Sequence, residues 1–161
     1  ADRVTAASLA QLVNVIAPIM TEPGGPAWKQ TTYFPFAVTS KLARGVALEL
    51  KLEAPTHETE RYGEVGLVDA VATHDAESGE TAVFLVNRSL DESAEFVVDA
   101  ALLGDVSLEG AESLYDDDMH AANTLSDPER VRLRPNETAH LADGELRIVL
   151  PPVSWTAVTL R

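Results

Sequence analysis

"GVALELKLE", Gly45–Glu53, is where the chain changes its period. Val46, Leu48, Leu50 and Leu52 alternate with Ala47, Glu49, Lys51 and Glu53, the two-residue repeat of a half-buried strand. Upstream, Phe34, Val38 and Leu42 recur every four residues, as on one helix face, and Gly45 suits the position just past a helix end. Downstream, short apolar and β-branched runs follow one another at 65–73, 81–87, 94–99, 106–114, 131–134, 145–150 and 154–160. Turn clusters ("HDAESGE", "NRSLDES", "LADGE") separate them, and Asp143-Gly144 is a two-residue hairpin signal. Short strands with no helical stretch between them predict an antiparallel β-sandwich over 46–161, with a closed barrel as the alternative. Residues 1–45 are of a different character.

In that first part, "ASLAQLVNVI" within Ala6–Ile19 fits either an amphipathic helix or a buried parallel strand, and so short an apolar run does not separate them. Pro18 and then "PGGP", Pro23–Pro26, end it. A helix is expected to restart with Pro26 at its first position and run to Arg44, kinked or broken at Pro35. Trp28, Tyr33, Phe34 and Phe36 gather in this corner. They point either to a sugar-stacking platform or to a hydrophobic seam between two units, and the hand-over from helix to strands favours the seam.

Composition narrows the function classes. The 161 residues carry 26 acidic against 12 basic side chains, a formal charge of −14 that repels nucleic-acid phosphates and anionic membranes. With no cysteine there is no disulfide, thiolate metal site or cysteine nucleophile. No apolar run approaches the length of a membrane span. The chain opens on Ala1 without the basic start of a signal peptide, and is expected to be a cut piece or a processed product.

Residues that often carry chemistry lack the right spacing here. The three aspartates of "YDDDMH", Tyr115–His120, are contiguous, whereas a calcium loop alternates its ligands around a glycine, so a solvated loop is expected and no metal. His57, His74, His120 and His140 never fall at a helical zinc spacing. Ser113, Asp117 and His120 lack a nucleophile elbow. Glu49 and Glu53 share one strand face, but nothing nearby would raise the pKa of one for acid catalysis.

One string is distinctive. "ADRV…LAQLVNVIAPIMTEPGGPAWKQTTYFPF" resembles the end of the catalytic barrel in the α-L-arabinofuranosidases of glycoside hydrolase family 51. The rest, including "HAANTLSDPERV" (His120–Val131) and "LPPVSWTAVTLR", is similar to that family's C-terminal sandwich. The resemblance implies a jelly-roll-like sandwich over 46–161, preceded over 1–45 by one βα unit of a (β/α)8 barrel. "VTAASLAQ" would be the eighth strand and Ala27–Arg44 the eighth helix. It implies a retaining exo-hydrolase whose two catalytic glutamates lie upstream of Ala1, so that no catalytic residue and no cofactor is expected in this chain. Gln11, at the C-terminal end of the implied strand, would contact the sugar, with Asn14 as a weaker substrate-binding candidate. The implied partners are the catalytic barrel, an arabinofuranosyl substrate and further copies in a homo-oligomer, in the cytoplasm. Val4, Leu9, Leu12, Val15 and Ile16 would then lack their barrel neighbours. The competing expectation is a free-standing sandwich that binds carbohydrate or protein, with Trp155 as its aromatic contact.

Overall fold

The computed structural model describes residues 4–161. An antiparallel hairpin, β1 (Ile19–Thr21) with β2 (Ala27–Lys29), precedes the helix α1 (Tyr33–Leu42). Then follow β3 (Val46–Ala47), β4 (Thr56–Thr59), β5 (Gly63–Gly66), β6 (Val68–Asp75), β7 (Glu80–Asn87) and β8 (Ala94–Asp99). After a 3-10 turn at Ala101–Leu103 come β9 (Leu108–Leu114), β10 (Leu133–Pro135), β11 (His140–Ala142), β12 (Glu145–Leu150) and β13 (Ser154–Leu160). Six strands form one sheet in the order β10-β9-β13-β7-β6-β3, three form another in the order β11-β12-β8, and β4-β5 is a separate hairpin. Every pairing among the described residues is antiparallel. The chain crosses from one sheet to the other after β7, β8, β10 and β12, which makes a sandwich and not a barrel.

Alternation explains the layers. Leu146, Ile148 and Leu150 of β12 face inward while Glu145, Arg147 and Val149 face out, and Val83 and Leu85 of β7 with Val158 and Leu160 of β13 meet them from the larger sheet. The same two central strands turn Ala82, Phe84, Trp155 and Ala157 the other way, against Val38, Leu42 and Ala43 of the helical segment. The molecule therefore has three layers: helix, six-stranded sheet, three-stranded sheet. β7 and β13 are buried on both sides, so their sequences are apolar without strict alternation.

The first of the sequence-predicted runs, Val46–Glu53, is corrected. Only Val46 and Ala47 pair, with His74 and Thr73, and Leu48 adds one bond to Ala72 O (2.9 Å) before the chain leaves the edge of β6. Alternation marks two unlike faces but does not supply the neighbour that a ladder needs, and Leu50 and Leu52 stay partly exposed.

The helix is also shorter than expected. "TEPGGP" closes a hairpin, with Gly24 at φ 68°, and Glu22 N–H donates to the carbonyl of Pro26 (3.2 Å), so residues 27–29 are extended. Pro35 neither kinks nor breaks α1. It is the helix's third residue, where the N–H has no intrahelical partner to lose. Residues 4–9 lie in no helix and no strand, since no other described segment runs alongside to form a ladder. The hairpin at Asp143-Gly144 forms as expected: both residues have positive φ (53° and 77°) and Ala142 pairs with Glu145, a two-residue primed turn. Its first strand, β11, was not legible in so short a run.

Candidate functional site

Gln11 stands on the rim of an open cleft of about 390 Å³ between residues 7–12 and the start of α1. Leu9, Leu12, Pro18, Ile19, Tyr33 and Phe36 make most of its wall. Such a lining suits packing more than a hydroxyl-rich ligand, with the Gln11 amide and the hydroxyls of Ser8 and Tyr33 as the polar side chains of the cleft. Beside it runs an uncovered apolar stretch: Leu12, Val15 and Ile16 are 79%, 81% and 70% exposed, and Leu9 and Val13 are partly exposed.

The backbone beneath Gln11 is unusual. Gln11, Asn14 and Val15 all have left-handed φ (59°, 61° and 57°), a region that costs an L-residue about 1–2 kcal/mol and is rarest for β-branched Val. Such a loop persists only where its surroundings hold it. Asn14 does much of the holding: its Oδ1 accepts from Thr21 N–H (2.7 Å) and its Nδ2 donates to Thr21 Oγ1 (2.9 Å). Its own N–H donates to Ile19 O (2.8 Å), and its carbonyl accepts from Ala17 N–H (2.9 Å). The structure thus brings Gln11 and Asn14 into one loop but gives them different work, one amide at the rim and the other engaged with β1.

The aromatic corner divides the same way. Tyr33 and Phe34 pack edge to face at 5.7 Å, Lys29 Nζ lies 4.9 Å over Tyr33, and the Trp28 indole N–H donates to Asn123 O (3.2 Å). Trp155 stacks on Phe84 at 5.9 Å beneath the helix. These rings seal contacts between layers, and Phe36 is the most exposed of the four in the corner.

Asn123 escaped sequence reasoning. It is 2% exposed, in the long connection from β9 to β10, and no periodicity marks it. Its Nδ2 donates to Lys29 O and Val131 O, both at 2.8 Å, and its Oδ1 accepts from Val131 N–H (2.8 Å). Its carbonyl accepts from Trp28 and from Gln30 Nε2 (3.1 Å). Three consecutive residues of the hairpin strand and its extension are therefore tied to one residue of the sandwich.

Other sequence candidates lie apart from this site. Glu49 and Glu53 are exposed, Glu53 pairing with Lys51 at 2.8 Å. His74 bonds Thr81 (2.8 Å), while His57, His120 and His140 are exposed. Of the acidic run, Asp116 and Asp118 share Arg130 (3.3 and 3.0 Å). Among the described residues no group of three His, Asp or Glu side chains is placed to hold a metal ion. The Asp118 N–H and then Arg130 hold Asp116 below the usual carboxylate range, and the His120 N–H and then Arg130 do so for Asp118. Depressed folded-state values mean that this contribution to stability is present above pH 3.8 and fades as pH falls through the lowered values. In Arg130→Gln both carboxylates are expected to titrate closer to 3.8 in a carboxyl-carbon NMR titration. Unmoved midpoints would show that the guanidinium is irrelevant to them.

Residues 1–154 match the profile of the alpha-L-arabinofuranosidase C-terminal domain. The chain belongs to that family. An exo-α-(1→6)-L-arabinofuranosidase of Bifidobacterium longum is 52% identical over 164 aligned positions, covering 100% of this chain and 31% of the relative. An intracellular exo-α-(1→5)-L-arabinofuranosidase of Streptomyces lividans is 49% identical, covering 98% and 24% respectively. Among solved structures, a family 51 α-L-arabinofuranosidase from Bifidobacterium longum superposes with a TM-score of 0.93 at 40% identity, over 99% of this chain and 31% of that one. A family 51 arabinofuranosidase from Xanthomonas axonopodis pv. citri gives 0.83 at 25% identity, over 99% and 32%. This arabinofuranosidase-type C-terminal domain thus spans less than a third of the length of these relatives.

Proposed function

We propose that this chain is the C-terminal part of a retaining, exo-acting α-L-arabinofuranosidase, which releases terminal arabinofuranose from arabinan, arabinoxylan or their oligosaccharides. Residues 1–45 would complete a catalytic (β/α)8 barrel as its last βα unit, and 46–161 form the sandwich that braces it. The observation that carries this is the uncovered apolar stretch around Gln11, Leu12, Val15 and Ile16, in a chain that matches its relatives along its whole length. Val4 and Leu9 of the implied strand are exposed as well, although a barrel strand is buried on both faces, so the remaining barrel of the same polypeptide is the cover that this strand and the loop after it call for. The nucleophile and the acid/base, both glutamates, come from that upstream barrel, and the 161 residues alone are structural and inactive. The working protein is a cytoplasmic homo-oligomer, in keeping with relatives named as intracellular.

In this reading Gln11 hydrogen-bonds the arabinofuranosyl ring at the mouth of the barrel, where strand C-termini supply the site. Asn14 contributes by setting the loop. Gln11→Ala, in a polypeptide that joins this chain to its upstream barrel, is expected to lower kcat/KM about 10- to 100-fold, the loss of a hydrogen bond to a charged or developing-charge centre. The assay is arabinose release from α-1,5- and α-1,6-linked arabino-oligosaccharides. Turnover unchanged by the substitution would remove Gln11 from the site, and hydrolysis by the 161 residues alone would overturn the placement of the catalytic pair.

A further inference from the structure

We infer that Asn123, a residue of the sandwich, is a positioning residue for the loop that carries Gln11. The inference rests on Gln11 being the sugar contact, but the mechanical link is visible without substrate. It begins in the connection between β9 and β10, which is stiffened before it reaches the hairpin. Arg130 ties the end of that connection to Asp116 and Asp118 at its start, Thr124 N–H donates to Asp127 O (3.0 Å), and Asn123 is bonded on both sides of its amide to Val131. From this platform Asn123 grips Trp28, Lys29 and Gln30 together.

The grip passes along β2 into β1, where Ile19 pairs with Lys29, Met20 with Trp28 and Thr21 with Ala27. Thr21 and Ile19 in turn hold Asn14 at its side chain and its N–H. Asn14 is three residues from Gln11, and both sit in the left-handed region that relaxes unless restrained. The route from the sandwich to Asn14 is thus a continuous set of hydrogen bonds and ladder pairs, and three residues of restrained backbone carry it on to Gln11. Among the described residues, every hydrogen bond between the hairpin and the sandwich involves Asn123, which is itself almost fully buried. The sandwich does more than cover the barrel's side; it sets the backbone geometry of an active-site loop.

Amide hydrogen exchange read residue by residue on the 161-residue chain tests the link. In Asn123→Ala the N–H groups of Asn14, Ala17 and Thr21 are expected to exchange about tenfold faster or more, with those of Leu146, Ile148 and Leu150 unchanged. Unchanged rates at the first three overturn the inference. So does equal acceleration of all six, which would make Asn123 an ordinary stabilising residue. Should Asn123→Ala not fold, Trp28→Phe removes one bond of the grip and keeps an aromatic, though smaller, side chain; a smaller acceleration confined to the same three amides supports the link, and none overturns it. In the barrel-containing polypeptide, Asn123→Ala is expected to lower kcat by at least half the logarithmic loss of Gln11→Ala. If the loop loosens while Gln11→Ala leaves turnover intact, the sugar contact is overturned and the mechanical link stands.

Discussion

Asn87→Asp is expected to cost about 4 kcal/mol at pH 7, and the cost is expected to shrink as the pH is lowered. Asn87 is 1% exposed at the end of β7, and its Nδ2 points at the carbonyls of Glu92, Leu150 and Pro151 (2.9, 3.1 and 3.0 Å) while its Oδ1 accepts from Ser89 N–H (3.0 Å). A carboxylate there would face three carbonyl oxygens with nothing to donate to them. The folded chain escapes by keeping the acid protonated. Against an unfolded value near 3.9, holding that proton at pH 7 costs about 1.36 kcal/mol per unit, which sets the figure and caps its pH-dependent part. The sign follows from proton counts. The folded state retains a proton that the unfolded state releases above about pH 3.9, so stability falls as pH rises from there. Urea unfolding of the variant and its parent at pH 5, 6 and 7 should show the difference widening by about 1.4 kcal/mol per unit. A difference independent of pH would mean that the site admits water and tolerates the charge. Set against the usual 5–15 kcal/mol of a domain, the expected loss leaves little in reserve.

Gly45→Ala is expected to cost about 2–4 kcal/mol, by two separate effects. Gly45 has φ 74°, which an alanine reaches only with strain, and a Cβ built there would come within 2.0 Å of His74 O and 2.6 Å of the Asp75 Cα. Both neighbours are backbone of β6, so no side chain can swing aside. Relief is available only by peeling β3 from the sheet edge, forfeiting the pairs Val46–His74 and Ala47–Thr73. That release limits the cost. A midpoint within experimental error of the parent in urea would show that the connection from α1 to β3 adjusts freely. The position also corrects the sequence argument: α1 ends at Leu42 with Ala43 as its cap, so glycine is required here by the close approach to β6 and not by the helix end.

Much of the sandwich was legible because its signals are local. Runs at 81–87, 94–99, 145–150 and 154–160 match β7, β8, β12 and β13 closely, since alternation against a core and turn chemistry such as Asp143-Gly144 act within a few residues. Asn87 left a trace as well. It continues the inward parity of Val83 and Leu85, and a polar residue on a core-facing position needs buried partners. The family resemblance pointed to Gln11, and the structure adds the left-handed loop under it. The hairpin at 19–29 was hidden because proline and glycine at 23–26 fit a helix start as well as a turn, and nothing within reach decides between them.

By itself, then, the sequence determined the longer antiparallel strands of the sandwich, three of the turns that join them, the acidic surface and the lack of thiol chemistry. Each depends on residue type and short-range spacing. Only the tertiary structure decided that Leu48–Glu53 leaves the sheet, that Pro35 is harmless, and that Asn123 joins the sandwich to the loop of Gln11 and Asn14. Pro35 is harmless because of where the helix begins; for the other two the reason is shared. A backbone or amide group must find a partner once buried, and that partner is supplied by whatever segment folds beside it, in the case of Asn123 and Lys29 a segment 94 residues away.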